Sequence, residues 1–554
     1  MKSDEYIIGV SAFYHDSSAC LFKNGKLIFA CEEERFSGIK HDSSFPLKTI
    51  NYIFEKYGLT KDDISVICYY ESPKLKYERV WNNFKKNFFK NPLYSIHSLI
   101  DITLLTWKIE LSLREISENI FYSPHHESHL YYSGYTSNFK NSFILSIDGV
   151  GETDTITGGY YDEFGITYTS MGKYPNSLGL FYSAMTSYLG FKPNEGEYKL
   201  MGLASYGNET HFVELIRNLV KWENGEIICD MDMFCWDRDD KLMFNHKLIQ
   251  YLNVEPRNDE PITDIHKDIA FATQMVYEEI LFKILNQLHI DTENLCLGGG
   301  SAYNGTANGK IAKKTPFKNL WIPVAPSDAG SSVGACINYM VQHNIKFDRV
   351  NTSPFLGPEY EYDEIVKSLP KDKVRKYTDK KLMEIIANEL KNEKVVGWVW
   401  GEMEFGSRAL GNRSILASPF KVEMKDKINR VIKKREGFRP FAPMVKKEEQ
   451  HKYFNLYGDV PYMNQVVEVK DEYKSVLGAV THINGSARVQ TVYKTNRIYK
   501  LLTEFENISG YPILLNTSFN VKDKTMVLTP QNAIDTFYDT EMDVLVLGNY
   551  VIQK

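Results

Sequence analysis

The sequence predicts an α/β protein of two domains, the first a nucleotide-binding fold made of two similar halves. Three observations carry this. The 554 residues exceed what one hydrophobic core usually organises. A strand–loop–hairpin plan at 6–34 recurs at 143–170, as an internal duplication would leave it. The tract DRVNTSPFLGPEYEY at 348–362 loses helical periodicity and concentrates Pro, Gly, Asn and Ser, the composition of a domain junction. The expected division is a first domain over 1–350, a linker over 351–362 and a second α/β domain over 363–554.

The elements follow in order. IIGVSA, the loop FYHDSS, ACLF, the turn KNGK and LIFACEEE read as strand, loop and hairpin, with Asn24-Gly25 as the turn signal. Tyr94 to Leu113 is apolar but interrupted by His97, Asp101, Lys108 and Glu110, so it reads as an amphipathic helix and not a membrane span. Ser123 and Pro124 suit an N-cap and first helical position. FILSIDGVGETD, TITGGYY and ITYTS repeat the first hairpin plan. Between 176 and 290 the pattern is mostly helical, with an exposed excursion of hairpin character at 221–262. LCLGGGSAYNG (295–305) and WIPVAPSDAGSSVGACINYM (321–340) each run from strand through a turn into helix. KVVGWVWG (394–401) is a strand of the second domain.

Composition narrows the function classes. Basic residues number 65 and acidic ones 71, a net charge of −6, so nothing in the whole-chain charge attracts nucleic acid or an anionic membrane. The N-terminus lacks the basic start and long apolar core of a signal peptide, and a cytoplasmic protein is expected. Seven scattered cysteines form no CxxC pair and read as reduced thiols.

Three clusters offer chemistry. In SPHHESHLYYS, His125 and His129 share one helical face, close enough for both imidazoles to reach one metal, and helix-end histidines without a ligand are the competing reading. Asp148, ending the strand FILSID, and Asp328, in PSDAG, add carboxylates at strand ends, and such a donor set suits iron, zinc or manganese alike. The glycine turns DGVGE (Gly149, Gly151) and GGGSAYNG (Gly299, Gly300, Asn304) let backbone amides approach phosphate or ribose, although neither matches Walker A. In the second domain, Arg408 to Lys447 holds twelve Lys or Arg against Glu423, Asp426 and Glu436. Such a concentration, interleaved with Leu410, Ile415, Phe438 and Phe441, calls for an anion such as phosphate or carbamoyl phosphate. Arg488 and the NTSFN run (516–520) add a cation, a hydroxyl and amides.

The motifs GVSAFYHDSSACL, EEERFSGIKHD, EGEYKLMGLASYG, SRALGNRSILA, FRPFAP and LNTSFN occur in this order. In them the chain resembles the NodU/CmcH-type O-carbamoyltransferases of nodulation and antibiotic biosynthesis, over nearly its whole length and least at 205–290. The resemblance implies an actin-like ATPase (duplicated ribonuclease-H-like) N-terminal domain and a YrdC-like C-terminal domain. It implies that carbamoyl phosphate and ATP, with Mg2+, become carbamoyl adenylate in the second domain. The adenylate then passes internally to the first, where the carbamoyl group moves to a hydroxyl of a small-molecule or sugar acceptor. His125, His129, Asp148 and Asp328 are implied as metal ligands, with Fe2+ the implied ion, although another divalent metal fits the donors. His15 of YHDSS is the expected proton acceptor. Arg408, Lys433, Arg439, Arg488, Ser518 and Asn520 are expected to bind carbamoyl phosphate and the ATP phosphates, with Arg408 and Ser518 catalytic. Lys40, Glu195 and Lys199 are expected to contact the acceptor.

Other readings make different demands. A tRNA threonylcarbamoyl-type enzyme would want a basic surface, which the acidic balance opposes. An actin-fold kinase or ATPase leaves SRALGNRS and its basic cluster without a role. A metalloprotease would want the glutamate of HExxH, which is absent. A catalytically dead binding module would have no use for His15 beside a complete ligand set.

Overall fold

A computed structural model describes residues 4–239, 242–288, 291–349, 353–435 and 437–554. Linker positions 351 and 352 and Glu436 of the basic tract lie outside the described residues. Two compact units emerge. The first comprises Met1–Glu33, His41–Asn304 and Ile311–Thr352, the second Glu34–Lys40, Gly305–Lys310 and Ser353–Lys554.

The first unit opens with β1 (Tyr6–Ser11), β2 (Ser18–Lys23) and β3 (Lys26–Glu32), then α1 (Leu47–Tyr57), β4 (Ile64–Tyr69), α2 (Pro73–Asn87), α3 (Pro92–Arg114) and β5 (Ile120–Tyr122). Their sheet runs β3-β2-β1-β4-β5, antiparallel across the first three strands and parallel from β1 outward. Asn24 and Gly25, at φ 51° and 76°, make the tight β2–β3 turn, a conformation that Asn-Gly tolerates best. The first half closes with α4 (His125–Thr136), and the second opens with β6 (Ser142–Ile147), β7 (Asp154–Asp162) and β8 (Gly165–Lys173). It continues through α5 (Leu178–Tyr188) to β9 (Asn294–Gly298), β10 (Asn319–Trp321) and α6 (Asp328–Gln342). Its sheet runs β10-β9-β6-β7-β8 with the same senses, β6 antiparallel to β7 and parallel to β9. Taken from its own first strand, each half therefore has the order 3-2-1-4-5, and two copies of one topology give the duplicated, actin-like α/β plan.

Each half ends in a helix that follows its fifth strand, α4 in the first and α6 in the second. These two helices pack directly, because α6 is built from small residues: a Cβ on Gly334 would stand 1.9 Å from the Ser128 carbonyl oxygen. The inner strands β1, β4, β6 and β9 are apolar and buried along nearly their whole length, as strands covered on both faces must be. In β1, five of six residues are buried.

Three expectations change. The helix predicted to begin at Pro124 begins at His125, because Pro124 at ψ 143° remains extended as the N-cap. The excursion at 221–262 does contain a hairpin, Val220–Glu223 with Glu226–Cys229, but Trp222, Phe234 and Trp236 are buried, so it is packed and not exposed. The helix expected to be amphipathic, α3, is apolar on two opposite sides: Ile102, Ile109 and Leu113 face inward, while Leu93, Ile100, Leu104, Trp107 and Leu111 are exposed. Its few charges sit on the flanks between these stripes. No described helix is long and apolar enough to cross a membrane, and all seven cysteines are buried free thiols.

The second unit is a mixed sheet of eight strands. In chain order these are β11 (Val374–Lys376), then after α7 (Asp379–Lys391) β12 (Val396–Val399), β13 (Arg413–Ala417), β14 (Ala442–Lys446) and β15 (Gln490–Val492). After α8 (Ile498–Ser509) come β16 (Ile513–Ser518), α9 (Pro530–Tyr538), β17 (Val544–Leu547) and β18 (Tyr550–Gln553). The sheet order is β11-β18-β17-β12-β13-β16-β14-β15. Strand alternation divides its core in two: Val396, Trp398, Leu416, Leu514 and Val546 meet Leu382, Ile386, Leu501 and Phe505 of α7 and α8. Val399, Ile415, Leu515 and Leu545 meet Ala533, Ile534 and Phe537 of α9. Both faces are helix-covered, as an α/β layer fold requires.

Candidate functional site

The pseudo-symmetry of the first unit explains its site. The N-termini of α4 and α6 deliver His125, His129 and Asp328, while the loops after the equivalent strands β6 and β1 deliver Asp148 and His15. One helical turn separates His125 and His129, and their Nε2 atoms lie 3.1 Å apart. Asp148 Oδ2 is 3.1 Å from the first and 3.0 Å from the second, and Asp328 Oδ1 is 3.6 Å from both. All four ligand atoms lie within 4.8 Å of one another.

Each donor is aimed from behind. The amides of Gly149 and Gly300 approach Asp148 Oδ1 at 2.7 and 3.4 Å, leaving Oδ2 for the imidazoles. Ser331 Oγ stands 3.0 Å from His129 Nδ1, so Nε2 faces the cluster. Glu152, buried, accepts from the His125 amide at 2.9 and 3.0 Å and from Ser72 N at 2.6 Å. It supplies the cap that Pro124 cannot give, and its charge suits a helix N-terminus. The donor set fits a divalent transition metal: two imidazoles, two carboxylates, and an Asp328 Oδ2 that is buried with no hydrogen-bond partner. Burial opposes charge on His125, yet Asp328 and Asp148 hold it up to about 9. The same pull favours a cation at this point. His126 lies between the ligands in sequence; burial, then His125 and His129 beside it, push it down to about 3.

His15 lies on a loop with left-handed backbone at Phe13 and Asp16, φ 72° and 51°, strain of the kind held at functional sites. Its Nδ1 is 3.1 Å from Asp16 Oδ2 and its Nε2 is 3.9 Å from Asp328 Oδ2. Burial alone would lower its pKa, but Asp328 and Asp16 raise it to about 10. Asp16 Oδ1 also takes His41 Nδ1 at 2.7 Å, a partner that the sequence reading missed although it lies in the motif EEERFSGIKHD.

The remaining candidates of this unit separate. A Cβ on Gly151 would stand 2.6 Å from the His126 ring, so its smallness serves packing, whereas one on Gly149 would meet only Leu180, at 3.6 Å. Gly299, at φ +83°, passes against the Ile147 carbonyl, and Gly300 supports Asp148. Asn304 exchanges two hydrogen bonds with Gln274, at 3.0 and 3.1 Å. Glu195 is ion-paired with Lys192, and the Lys199 ammonium lies 5.7 Å from the Phe191 ring centre. Lys40 groups with the second unit.

In that second unit the cations converge. Lys433 is buried, and its ammonium donates to Ser518 O, to Ser518 Oγ at 3.2 Å, to Asn520 O at 2.9 Å and to Asn520 Oδ1 at 2.6 Å. Burial first, then Arg435, Arg439 and Lys40, lower its pKa well below the ordinary lysine value. Arg488 is pressed the same way by burial, Arg408, Arg435 and Arg439, and its Nε is buried without a partner. The neighbours acting on both are themselves cations. Arg435 was hidden in the run KKRE beside Lys433.

Buried Glu404 holds the loop SRALGNRS: its Oε1 accepts from the amides of Leu410, Asn412 and Arg413 at 2.8, 2.8 and 3.1 Å. Arg413, itself buried, donates to the carbonyls of Trp400, Gly401 and Asn412 and is structural. Asn516 ties the loop to the sheet through Ala409 O at 2.9 Å. The half-buried His482 adds an Nε2 sealed from solvent without a partner.

Family models match both parts of the chain. The description Carbamoyltransferase N-terminus matches residues 6–337 and Carbamoyltransferase C-terminus matches 387–554. The chain belongs to the carbamoyltransferase family. This carbamoyltransferase is 34% identical over 564 residues to nodulation protein NolNO of Sinorhizobium fredii, covering 98% of this chain and 80% of that one. It is 36% identical over 599 residues to an uncharacterized protein of Synechocystis, covering 99% and 97%. The resemblance read from the ordered motifs therefore holds. Likeness to solved structures is weak: component A of the Acidaminococcus fermentans (R)-2-hydroxyglutaryl-CoA dehydratase gives a TM-score of 0.34 at 13% identity, over 60% of this chain and 96% of that one. The fold rests instead on the strand orders above.

Proposed function

We propose that this carbamoyltransferase makes carbamoyl adenylate in its second, YrdC-like domain and transfers the carbamoyl group to a hydroxyl at the metal cluster of the first, with the division between them at 351–362. The observation that carries this reading is the buried Lys433 and the half-buried Arg488, each set against other cations. A charge so placed needs an anion to hold it, and carbamoyl phosphate and the Mg2+-bound phosphates of ATP supply several. Carbamoyl phosphate, ATP and one water give carbamoyl adenylate, phosphate and pyrophosphate. Arg408, Arg435, Arg439 and Arg488 are placed to stabilise the negative charge that moves onto the leaving phosphates. Ser518 and Asn520 orient Lys433 and add polar contacts, and Lys40 joins the phosphate side.

In the second step the acceptor hydroxyl oxygen forms a bond to the carbamoyl carbon, the carbon–oxygen bond to AMP breaks, and AMP leaves. His125, His129, Asp148 and Asp328 would hold Fe2+ or a similar divalent ion, which supplies Lewis acidity and a template for the adenylate phosphate. Asp16 at Nδ1 orients His15 so that Nε2 faces the cluster; a cation held by Asp328 would offset the carboxylate pull that keeps the ring protonated, leaving Nε2 able to take the hydroxyl proton. Gly149 and Gly300 offer backbone at the nucleotide side, and Glu195 and Lys199 are the acceptor-side candidates.

The test omits acceptor. Protein with carbamoyl phosphate, ATP and Mg2+ is expected to form carbamoyl adenylate and pyrophosphate by mass spectrometry, at a rate that Arg488→Ala lowers by about 10²–10³-fold. Folded Arg488→Ala that forms adenylate at the parent rate would remove this cluster from the reaction.

A further inference from the structure

The outward stripe of α3 is large, continuous and unused by either chemical site. Leu93, Ile96, Ile100, Leu104, Trp107 and Leu111 recur at spacings of three and four. They are between 42% and 76% exposed, and by helical geometry they run for about 27 Å opposite the inward face of Ser95, Ile102 and Ile109. Trp81 of α2 is also exposed, and Phe89, in the α2–α3 turn, is 93% exposed. A helix apolar on both sides is ordinarily covered on both sides.

From this stripe we infer that α3 is the self-association surface of the carbamoyltransferase, pairing antiparallel with α3 of a second copy. Charge selects that partner. At the N-terminal end of the stripe stand Lys85, Lys86 and Lys90; at the other, Glu110, Glu115 and Glu118 outnumber Lys108 and Arg114, the latter pairing with Glu110 and Glu118. A two-fold axis between Ile100 and Leu104 sets the basic end of each copy on the acidic end of the other, a self-complementary arrangement. The same axis brings Phe89 of one copy level with Glu115 of the other, at a 430 Å³ pocket lined by Leu47, Asn51, Phe54, Thr60, Lys61, Glu115 and Ile116.

The test is the mass of the full chain by sedimentation equilibrium across a concentration series. A dimer is expected, and Leu104→Glu with Trp107→Glu should weaken its dissociation constant by at least about tenfold, with circular dichroism and thermal midpoint confirming the fold. Lys86→Glu with Lys90→Glu should weaken it too, and adding Glu115→Lys with Glu118→Lys to the same chain should restore it. A chain that stays monomeric throughout overturns the proposal, as does a dimer indifferent to the stripe variants. Sedimentation with phosphatidylserine vesicles through an intact stripe, without dimer, would assign the surface to a membrane instead. None of these outcomes depends on the carbamoyl chemistry.

Discussion

His482 shows how one buried ring ties the anion site to pH. Its Nε2 is closed to solvent, and burial, Arg488 and Lys425 push it from an ordinary 6.5 down to about 3. The unfolded chain therefore binds a proton between those values that the folded chain refuses, so this contribution to stability is full above pH 6.5 and falls as pH drops toward 3. His482→Gln, which cannot take up that proton, should flatten the decline of the thermal midpoint between pH 6.5 and 4. An unaltered slope would mean that the ring is not held neutral. This residue carries no signal in the sequence. Arg488, six positions on, was legible through the family resemblance. A motif records chemistry that several residues share; a single ring sealed by tertiary packing leaves no periodic or compositional trace.

At the scale of elements, α4 depends on a carboxylate far away in sequence. Pro124 has no side-chain cap to offer, and Glu152 takes over by accepting the His125 amide while also accepting Ser72 N. Glu152→Ala should lower stability by about 1–3 kcal/mol, from the lost cap and the uncovered amides, and Glu152→Gln by less, because one acceptor remains. Equal losses in denaturant unfolding would show that the carboxylate does not cap the helix. The i, i+4 spacing placed His125 and His129 on one face from sequence alone. Asp148 and Asp328 could be named as strand-end acids, but their convergence needed the duplicated topology to be folded. In α3 the reading failed for a physical reason: charges at 97, 101, 108 and 110 interrupt an apolar run without showing that the apolar residues fall into two opposite stripes, one of them outside.

At the scale of the molecule, the duplicated first unit and the eight-stranded second carry two kinds of charge. The first sets one buried and one partly buried carboxylate around imidazoles and so favours a cation. The second sets buried cations together and so favours anions. The strand–loop–hairpin repeat made the duplication readable, since hairpins are local; the eight-stranded order was not readable, because β12 pairs with β17 from the far end of the chain. The account's central claim is that the two chemistries are separate, one in each unit. Its most direct measurement compares His129→Ala and Arg488→Ala, both verified as folded, for bound metal by elemental analysis and for acceptor-free carbamoyl adenylate by mass spectrometry. The account predicts that His129→Ala loses metal and still forms adenylate, while Arg488→Ala keeps metal and forms little. A His129→Ala protein that has lost its metal and its adenylation together would contradict it, as would adenylation that survives in Arg488→Ala.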